Sequence, residues 1–239
     1  MKEAVIVSGV RTAVGRAPRG TLRGAHPADL TAACIKEALN RAGELDSSEI
    51  EDVIIGCAMP EGPQGYNIAR QASIRAGLPD TVPAQTVNRF CSSGLQTIAN
   101  AAERIMAGYA STMVSGGVEH MSSTLKMPLF SPNPTLVETN PEVYMGMGLT
   151  AEQVAKEYGV SREDQDEFAL RSHTFAGEAV ESGLFDDQIV PLDVKLDWVD
   201  DNGEPRHMET TFERDEGPRD TSLEKLARLP AVFQKDGTV

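Results

Sequence analysis

The sequence predicts an α/β layer fold on a largely parallel sheet. Three observations carry that reading. Short apolar runs alternate with helical periodicities through the first 120 residues, in the order strand, helix, strand, helix, strand, helix, strand, which is how helices come to cover a parallel sheet. A turn of small residues, Cys91-Ser-Ser-Gly94, follows one of those apolar runs and opens a long, nearly neutral helical stretch. Charge then divides unevenly. Residues 1–120 carry 11 Lys+Arg against 12 Asp+Glu, and residues 121–239 carry 11 against 24. That asymmetry predicts two regions, 1–120 and 121–239.

Taken in order, Ala4-Val-Ile-Val-Ser-Gly-Val10 reads as a short strand. It runs into a basic turn with Arg11, Arg16, Arg19 and Arg23, which is read as a solvated loop or as an anion contact. Pro27 and Asp29 fit the first turn of a helix. Leu30, Ala33, Cys34, Ala38 and Leu39 form its expected buried face, and Gly43 is its stop. Residues 52–58 read as a strand buried on both faces. A Gly/Pro-rich loop leads to a helix over about 67–76 with Ile68, Ala72 and Ile74 inward.

Residues 84–88 read as the next buried strand, and Cys91 as the first residue of the helix that follows. In that helix Leu95, Ile98, Ala102, Ile105, Met106 and Tyr109 recur at spacings of three and four, one helical face. With only Glu103 and Arg104 charged, most of it is expected to be buried. A thiol in a first helical turn meets unpaired N–H groups and the positive end of the dipole, which favours thiolate. Cys91 is therefore read either as a nucleophile or as a small buried cysteine. Thr112–Val118 is a further strand.

The second region is less regular. Residues 121–144, rich in Pro, Ser, Thr and Asn, read as an extended surface excursion. A short helix ends at Gly159. Ser161-Arg-Glu-Asp164 is a capping box with Asp in place of the preferred Glu, opening a helix with Phe168, Ala169, Ser172, Phe175, Ala176 and Val180 inward. Ile189–Val194 reads as an edge strand because of Pro191. Residues 197–220 read as charged and turn-rich, 222–229 as one or two helical turns, and Gly237-Thr-Val239 as the start of another strand.

The composition, 40% hydrophobic and 24% charged, is that of a soluble globular protein. No apolar run is long enough for a transmembrane helix, so no membrane partner is expected. A net charge of −14 argues against nucleic acid. Three cysteines without metal-ligand spacing point to a reducing, cytoplasmic setting and to no bound metal.

In this order and spacing, Ser8-Gly-Val-Arg-Thr12, Asn67-Ile-Ala-Arg-Gln71, Asn88-Arg-Phe-Cys-Ser-Ser-Gly-Leu-Gln96, Gly116-Gly-Val-Glu-His-Met-Ser122, Met147-Gly-Leu-Thr-Ala-Glu152, Ser161-Arg-Glu-Asp-Gln-Asp166 and Lys235-Asp-Gly-Thr-Val239 resemble the N-terminal part of a thiolase. The resemblance implies an N-terminal core over 1–120 with a mixed, mainly parallel sheet, an inserted α/β loop domain over 121–239, and a C-terminal half absent from this chain. It implies an acyl-CoA C-acyltransferase that cleaves 3-ketoacyl-CoA with coenzyme A, or runs the reverse condensation, through an acyl-thioester on Cys91. The Cys91 backbone N–H is implied in an oxyanion hole and Arg219 in a contact to coenzyme A, which is substrate and not a resident cofactor. With the C-terminal half missing, an apolar sheet edge and helix face are left uncovered, so a homodimer or tetramer is expected.

Two departures bear on this reading. Residues 145–148, Met-Gly-Met-Gly, hold no histidine where biosynthetic relatives carry one, which points to the degradative, 3-ketoacyl-CoA type. His120 is read as a packing residue. The Gly-His-Pro and Cys-x-Gly motifs that supply the family's base and second cysteine do not occur in the sequence, so little turnover is expected of this chain alone. Other readings are a 3-ketoacyl-synthase relative, and a non-catalytic coenzyme A-binding or assembly subunit that needs a separate second-half polypeptide.

Overall fold

A computed structural model describes residues 2–43, 45–125 and 131–239. They fall into two compact units, Met1–Leu129 with Asp186–Gly217 and Phe130–Phe185 with Pro218–Val239. The expected division at 120 is one of family domains, and the compact units cut the chain differently.

The first unit contains strands β1 (Arg11–Thr12), β2 (Asp52–Gly56), β3 (Ala84–Val87), β4 (Met113–Gly117), β5 (Ile189–Val190), β6 (Leu192–Val199) and β7 (Pro205–Phe212), with helices α1 (Pro27–Arg41), α2 (Ile68–Ala76), α3 (Ser93–Met106) and the short α4 (Met121–Thr124). Its centre is a parallel sheet of order β3-β2-β4. Every residue of β2 is buried, as the run of apolar residues predicts for a middle strand. One core holds Ile35 of α1, Val53 and Ile55 of β2, and Ile68, Ala69 and Ala72 of α2, with Val114 and Val118 packed against it.

The helices start and stop where side chains can serve their free backbone groups. His26 caps α1, its Nδ1 accepting the Ala28 N–H at 3.2 Å. Asn67 caps α2 by accepting the Arg70 N–H, and Gly77 ends it at φ +89°, a left-handed conformation that glycine takes without steric cost. In α1 the buried positions are Ala28, Thr31, Ala32 and Ile35, while Leu30, Cys34 and Ala38 are half-buried. The inward face is thus rotated by about one position from the expected one. In α2, Ile74 points outward and Ser73 is buried instead.

Three expectations need correction in this unit. The run Ala4–Val10 is not a strand: only Arg11–Thr12 pairs, in parallel with Ile189–Val190. No strand lies beside the run, and among the described residues Ala4–Gly9 make no backbone hydrogen bond. Ile6 is left 79% exposed. A cavity of about 720 Å³ separates this stretch from β4, lined by Ile6 and residues 8–14, by Leu30 and Cys34 of α1, and by residues 114–117.

Second, residues 197–212 are not merely turn-rich. β6 and β7 form an antiparallel hairpin from Leu192↔Phe212 to Val199↔Pro205. Strict alternation of Leu192, Val194, Leu196 and Trp198 with polar residues, followed by Asp-Asp-Asn-Gly203, was the available signal. Pro191 separates β5, which pairs with β1, from β6, which pairs with β7.

Third, the basic turn serves the fold. Arg11 forms a two-pronged pair with Asp215 at 2.8 and 3.0 Å, and the Arg23 guanidinium lies over the Trp198 ring at 4.5 Å. Burial raises the Asp215 pKa, but Arg11 and the Val14 N–H outweigh it and hold the carboxyl below its ordinary value. Glu216 likewise accepts from the Arg16 and Thr21 N–H groups and the Thr21 hydroxyl.

The second unit is helical, with α5 (Pro134–Thr139), α6 (Met147–Tyr158), α7 (Arg162–Glu181) and α8 (Leu223–Ala227). The expected excursion over 121–144 includes α4 and α5, and its residues 126–130 lie outside the described part of the chain. The capping box forms despite its Asp: Ser161 Oγ accepts the Asp164 N–H at 3.0 Å and Asp164 accepts the Ser161 N–H at 2.9 Å. The expected inward face of α7 is not buried: none of its residues is, and Phe168 and Phe175 are exposed. Arg162 at its start donates to the Leu226 and Leu229 carbonyls at 2.7 and 2.9 Å and so holds the end of α8. Gly148 of α6 lies against the Phe233 ring so closely that a Cβ there would overlap it.

Candidate active site

Cys91 lies in the turn between β3 and α3, where the parallel sheet presents its carboxyl ends. The helix begins at Ser93 with Ser92 as its cap, so the cysteine precedes the first turn by two residues instead of opening it. The thiol is exposed, which excludes the small-buried-cysteine reading. Cys34 is half-buried and Cys57 buried. Burial raises both thiol pKa values, and at Cys57 the added negative charge of Glu119 helps push it up to about 11. Those two are packing residues.

The turn is sharp because several groups hold it. Phe90 has φ +47°, a left-handed conformation that costs a side-chain-bearing residue on the order of 1–2 kcal/mol. Its N–H donates to Asn88 Oδ1 at 2.9 Å, and its carbonyl accepts the Ser93 hydroxyl at 2.6 Å and the Ser93 N–H at 3.0 Å. Ser93 Oγ in turn accepts the Arg89 N–H at 2.9 Å, and the Ser92 hydroxyl donates to the Arg89 carbonyl.

Small residues let the helix come this close. A Cβ on Gly56, at the end of β2, would stand 2.5 Å from the Ser93 carbonyl carbon, and one on Gly117 would stand 3.4 Å from Gly94 Cα. Thr97, fully buried, donates its hydroxyl to the Gly116 carbonyl at 2.9 Å. The face of α3 on the sheet is therefore Ser93, Thr97 and Ala101. The large apolar face expected to be buried points outward: Leu95 is 70% exposed, and Ile98, Met106 and Tyr109 are exposed too. Phe90, next to the cysteine in the chain, is exposed as well.

His120 is buried, with Nε2 2.9 Å from the Leu22 carbonyl and Nδ1 2.8 Å from the Ser123 hydroxyl, so both ring nitrogens are spent on packing. Residues that sequence reading missed are Asn88, Gln64 and Glu119. Glu119 accepts from the Ala58 N–H at 2.8 Å and from Gln64 Nε2 at 2.7 Å. Their motifs were visible, but hydrogen bonds between the ends of separate strands leave no pattern in a linear sequence. Arg219 stands in the second unit, exposed and without an ion pair or hydrogen bond among the described residues. No cluster of His, Cys, Asp and Glu among the described residues could hold a metal ion, and none of their helices is long and apolar enough to cross a membrane.

Comparisons with known proteins agree with this geometry. The model of the family described as thiolase, N-terminal domain, matches residues 4–239. The 3-ketoacyl-CoA thiolase of Bacillus subtilis (strain 168) is 53% identical over 241 residues, covering 100% of this chain and 61% of the relative. That of Saccharophagus degradans is 42% identical, covering 100% and 59%. A crystal structure of the Bacillus anthracis acetyl-CoA acetyltransferase superposes with a TM-score of 0.83 at 39% identity, covering 100% of this chain and 61% of that one. The chain thus spans about three fifths of the length of the curated relatives it matches. From its sheet, its glycine-cleared elbow and its match across nearly every residue, this chain belongs to the thiolase family, as an N-terminal domain.

Proposed function

We propose that this chain is the nucleophile-bearing part of an acyl-CoA C-acyltransferase. It would cleave 3-ketoacyl-CoA by thiolysis, in fatty-acid degradation, or run the reverse condensation. The observation that supports the reading most is the exposed Cys91 thiol on a strained elbow at the carboxyl end of a parallel sheet, where α/β folds gather ligands. In this reading the Cys91 sulfur attacks the ketone carbonyl of the substrate. The bond to the α-carbon breaks, acetyl-CoA leaves, and the acyl group, shortened by two carbons, remains on Cys91 as a thioester. The thiolate of coenzyme A then takes the acyl group and frees Cys91. The Cys91 backbone N–H donates to the oxyanion of each tetrahedral intermediate. Arg219, with no ion pair or hydrogen bond among the described residues, is free to meet the phosphates of coenzyme A. The region from 121 onward acts as the loop domain that cradles it, and no resident cofactor takes part.

The base and the proton-transferring second cysteine are supplied by sequence outside residues 1–239. General acid–base groups contribute roughly 10²–10⁴-fold, so the polypeptide 1–239 alone is expected to show little or no thiolysis. Mixing it with a polypeptide covering the remaining two fifths of the Bacillus subtilis relative is expected to restore turnover, and Cys91→Ala to abolish it. Turnover by 1–239 alone at the rate of a full-length relative would overturn this division of labour, as would turnover by the Cys91→Ala mixture.

The outward apolar face of α3 supports the assembly part of the second reading, in which this chain needs a second-half polypeptide. The same exposed face favours a homodimer or tetramer, and free thiols fit a cytoplasmic setting. Light scattering is expected to show dimers or larger species; a clean monomer would count against that.

A further inference from the structure

A second residue of the elbow does more than fill space. Asn88 follows the last residue of β3, and its side-chain amide is used at both ends. Nδ2 donates to the Ala58 carbonyl at 3.0 Å, and Oδ1 accepts the Phe90 N–H at 2.9 Å. Only a side chain with one donor end and one acceptor end at this reach satisfies both groups. Ala58 lies two residues beyond β2, and its own N–H is held by Glu119, two residues beyond β4. Glu119 is fixed in turn by Gln64, which is fully buried and also bonds the Met59 carbonyl at 2.7 Å and the His120 N–H. A continuous hydrogen-bonded chain therefore runs across the carboxyl ends of all three parallel strands and terminates on Phe90, the left-handed residue directly before Cys91.

We propose that Asn88 is the positioning residue for Cys91: its amide holds Phe90 in the left-handed conformation, ties it to the ends of β2 and β4, and so sets the direction in which the thiol leaves the sheet. The inference rests on the reading of Cys91 as the nucleophile. Without the Asn88 acceptor, Phe90 loses the hydrogen bond to its N–H and relaxes toward negative φ. The thiol then leaves the sheet in another direction and loses the fixed, open approach that the elbow gives it. A glycine in place of Phe90 takes positive φ at no steric cost, so it makes Asn88 dispensable for this purpose.

That substitution is the basis of the test. Iodoacetamide alkylation of Cys91 at neutral pH is measured by peptide mass spectrometry, with Cys34 and Cys57 as internal references, in the intact chain and in Asn88→Ala, Phe90→Gly and the double variant. Asn88→Ala is expected to slow Cys91 at least tenfold when Phe90 is retained and less than twofold in the Phe90→Gly background. Asn88→Asp, which keeps the acceptor and loses the donor, is expected to fall between. A general loosening of the fold would slow Cys91 equally in both backgrounds, and that result overturns the proposal. So does an unchanged Cys91 rate in Asn88→Ala, which leaves the nucleophile reading standing if Cys91 is still alkylated ahead of Cys34 and Cys57. If Cys91 of the unaltered chain is not alkylated ahead of those two, the nucleophile reading falls and takes the positioning role with it.

Discussion

At the scale of single residues, the site is built by subtraction. Gly56 has no side chain because the first turn of α3 occupies that space, and Gly117 is in contact distance of Gly94. Adding a methyl group at Gly56 forces backbone to move, since the atom it would meet is the Ser93 carbonyl carbon. Overpacking of this kind costs about 1–3 kcal/mol, so Gly56→Ala is expected to lower unfolding stability in urea by that amount and to slow Cys91 alkylation together with it. A variant that keeps the wild-type midpoint would show that the elbow can shift freely, against the close approach described above. The exposed Cys91 thiol and the buried Cys57, whose pKa is about 11, give a second contrast: alkylation at neutral pH should label Cys91 before Cys57.

At the scale of elements, α3 separates two kinds of evidence. Its apolar periodicity was legible in the sequence and gave the helix correctly. It gave the wrong buried face, because the sheet beneath is floored by Gly56 and Gly117 and accepts only Ser93, Thr97 and Ala101. Periodicity reports which residues avoid water, not which surface covers them, and the same limit explains the exposed Phe168 and Phe175 of α7. The parallel sheet and the place of Cys91 between a strand and a helix were legible because both rest on local patterns. The hairpin β6–β7 was obscured by its charges, and the network from Asn88 to Gln64 joins residues distant in sequence. Leu95→Lys is therefore expected to change the stability of the unassociated chain by no more than about 0.5 kcal/mol, whereas Ile55→Ala, in the shared core, should cost about 2–5 kcal/mol. Thermal or denaturant unfolding of the two variants side by side checks this.

A similar argument applies to α6. Its Glu152 accepts the Thr238 and Val239 N–H groups at 2.9–3.0 Å, and these bonds hold its carboxyl below the ordinary glutamate value of 4.5. A lowered folded-state pKa means the stabilisation is complete above 4.5 and is lost as pH falls through the lowered value. Amide exchange at Thr238 and Val239 should therefore rise as pH is taken below the ordinary glutamate value, and Glu152→Gln should show the faster exchange already at neutral pH. Exchange that is independent of pH after correction for intrinsic rates would remove Glu152 from this role.

At the scale of the whole molecule, the unpaired stretch Ala4–Gly9 bears on the order in which the chain assembles. β2, α2, β3, α3 and β4 are consecutive between residues 52 and 117, so both parallel pairings of β2, Val53↔Ala84 and Asp52↔Met113, are made within that one segment. Residues 4–9 leave the ribosome before that block but have no ladder to join within it. Their amides are expected to exchange within the dead time of a hydrogen-exchange experiment while those of Val53–Ile55 persist to the global limit. The 52–117 block, whose sheet pairings are all internal, can thus form as one cooperative unit, and residues 4–9, made before it, are fixed after it. Folding from the middle outward leaves the Cys91 elbow, at the centre of that block, in place before either end of the chain has settled.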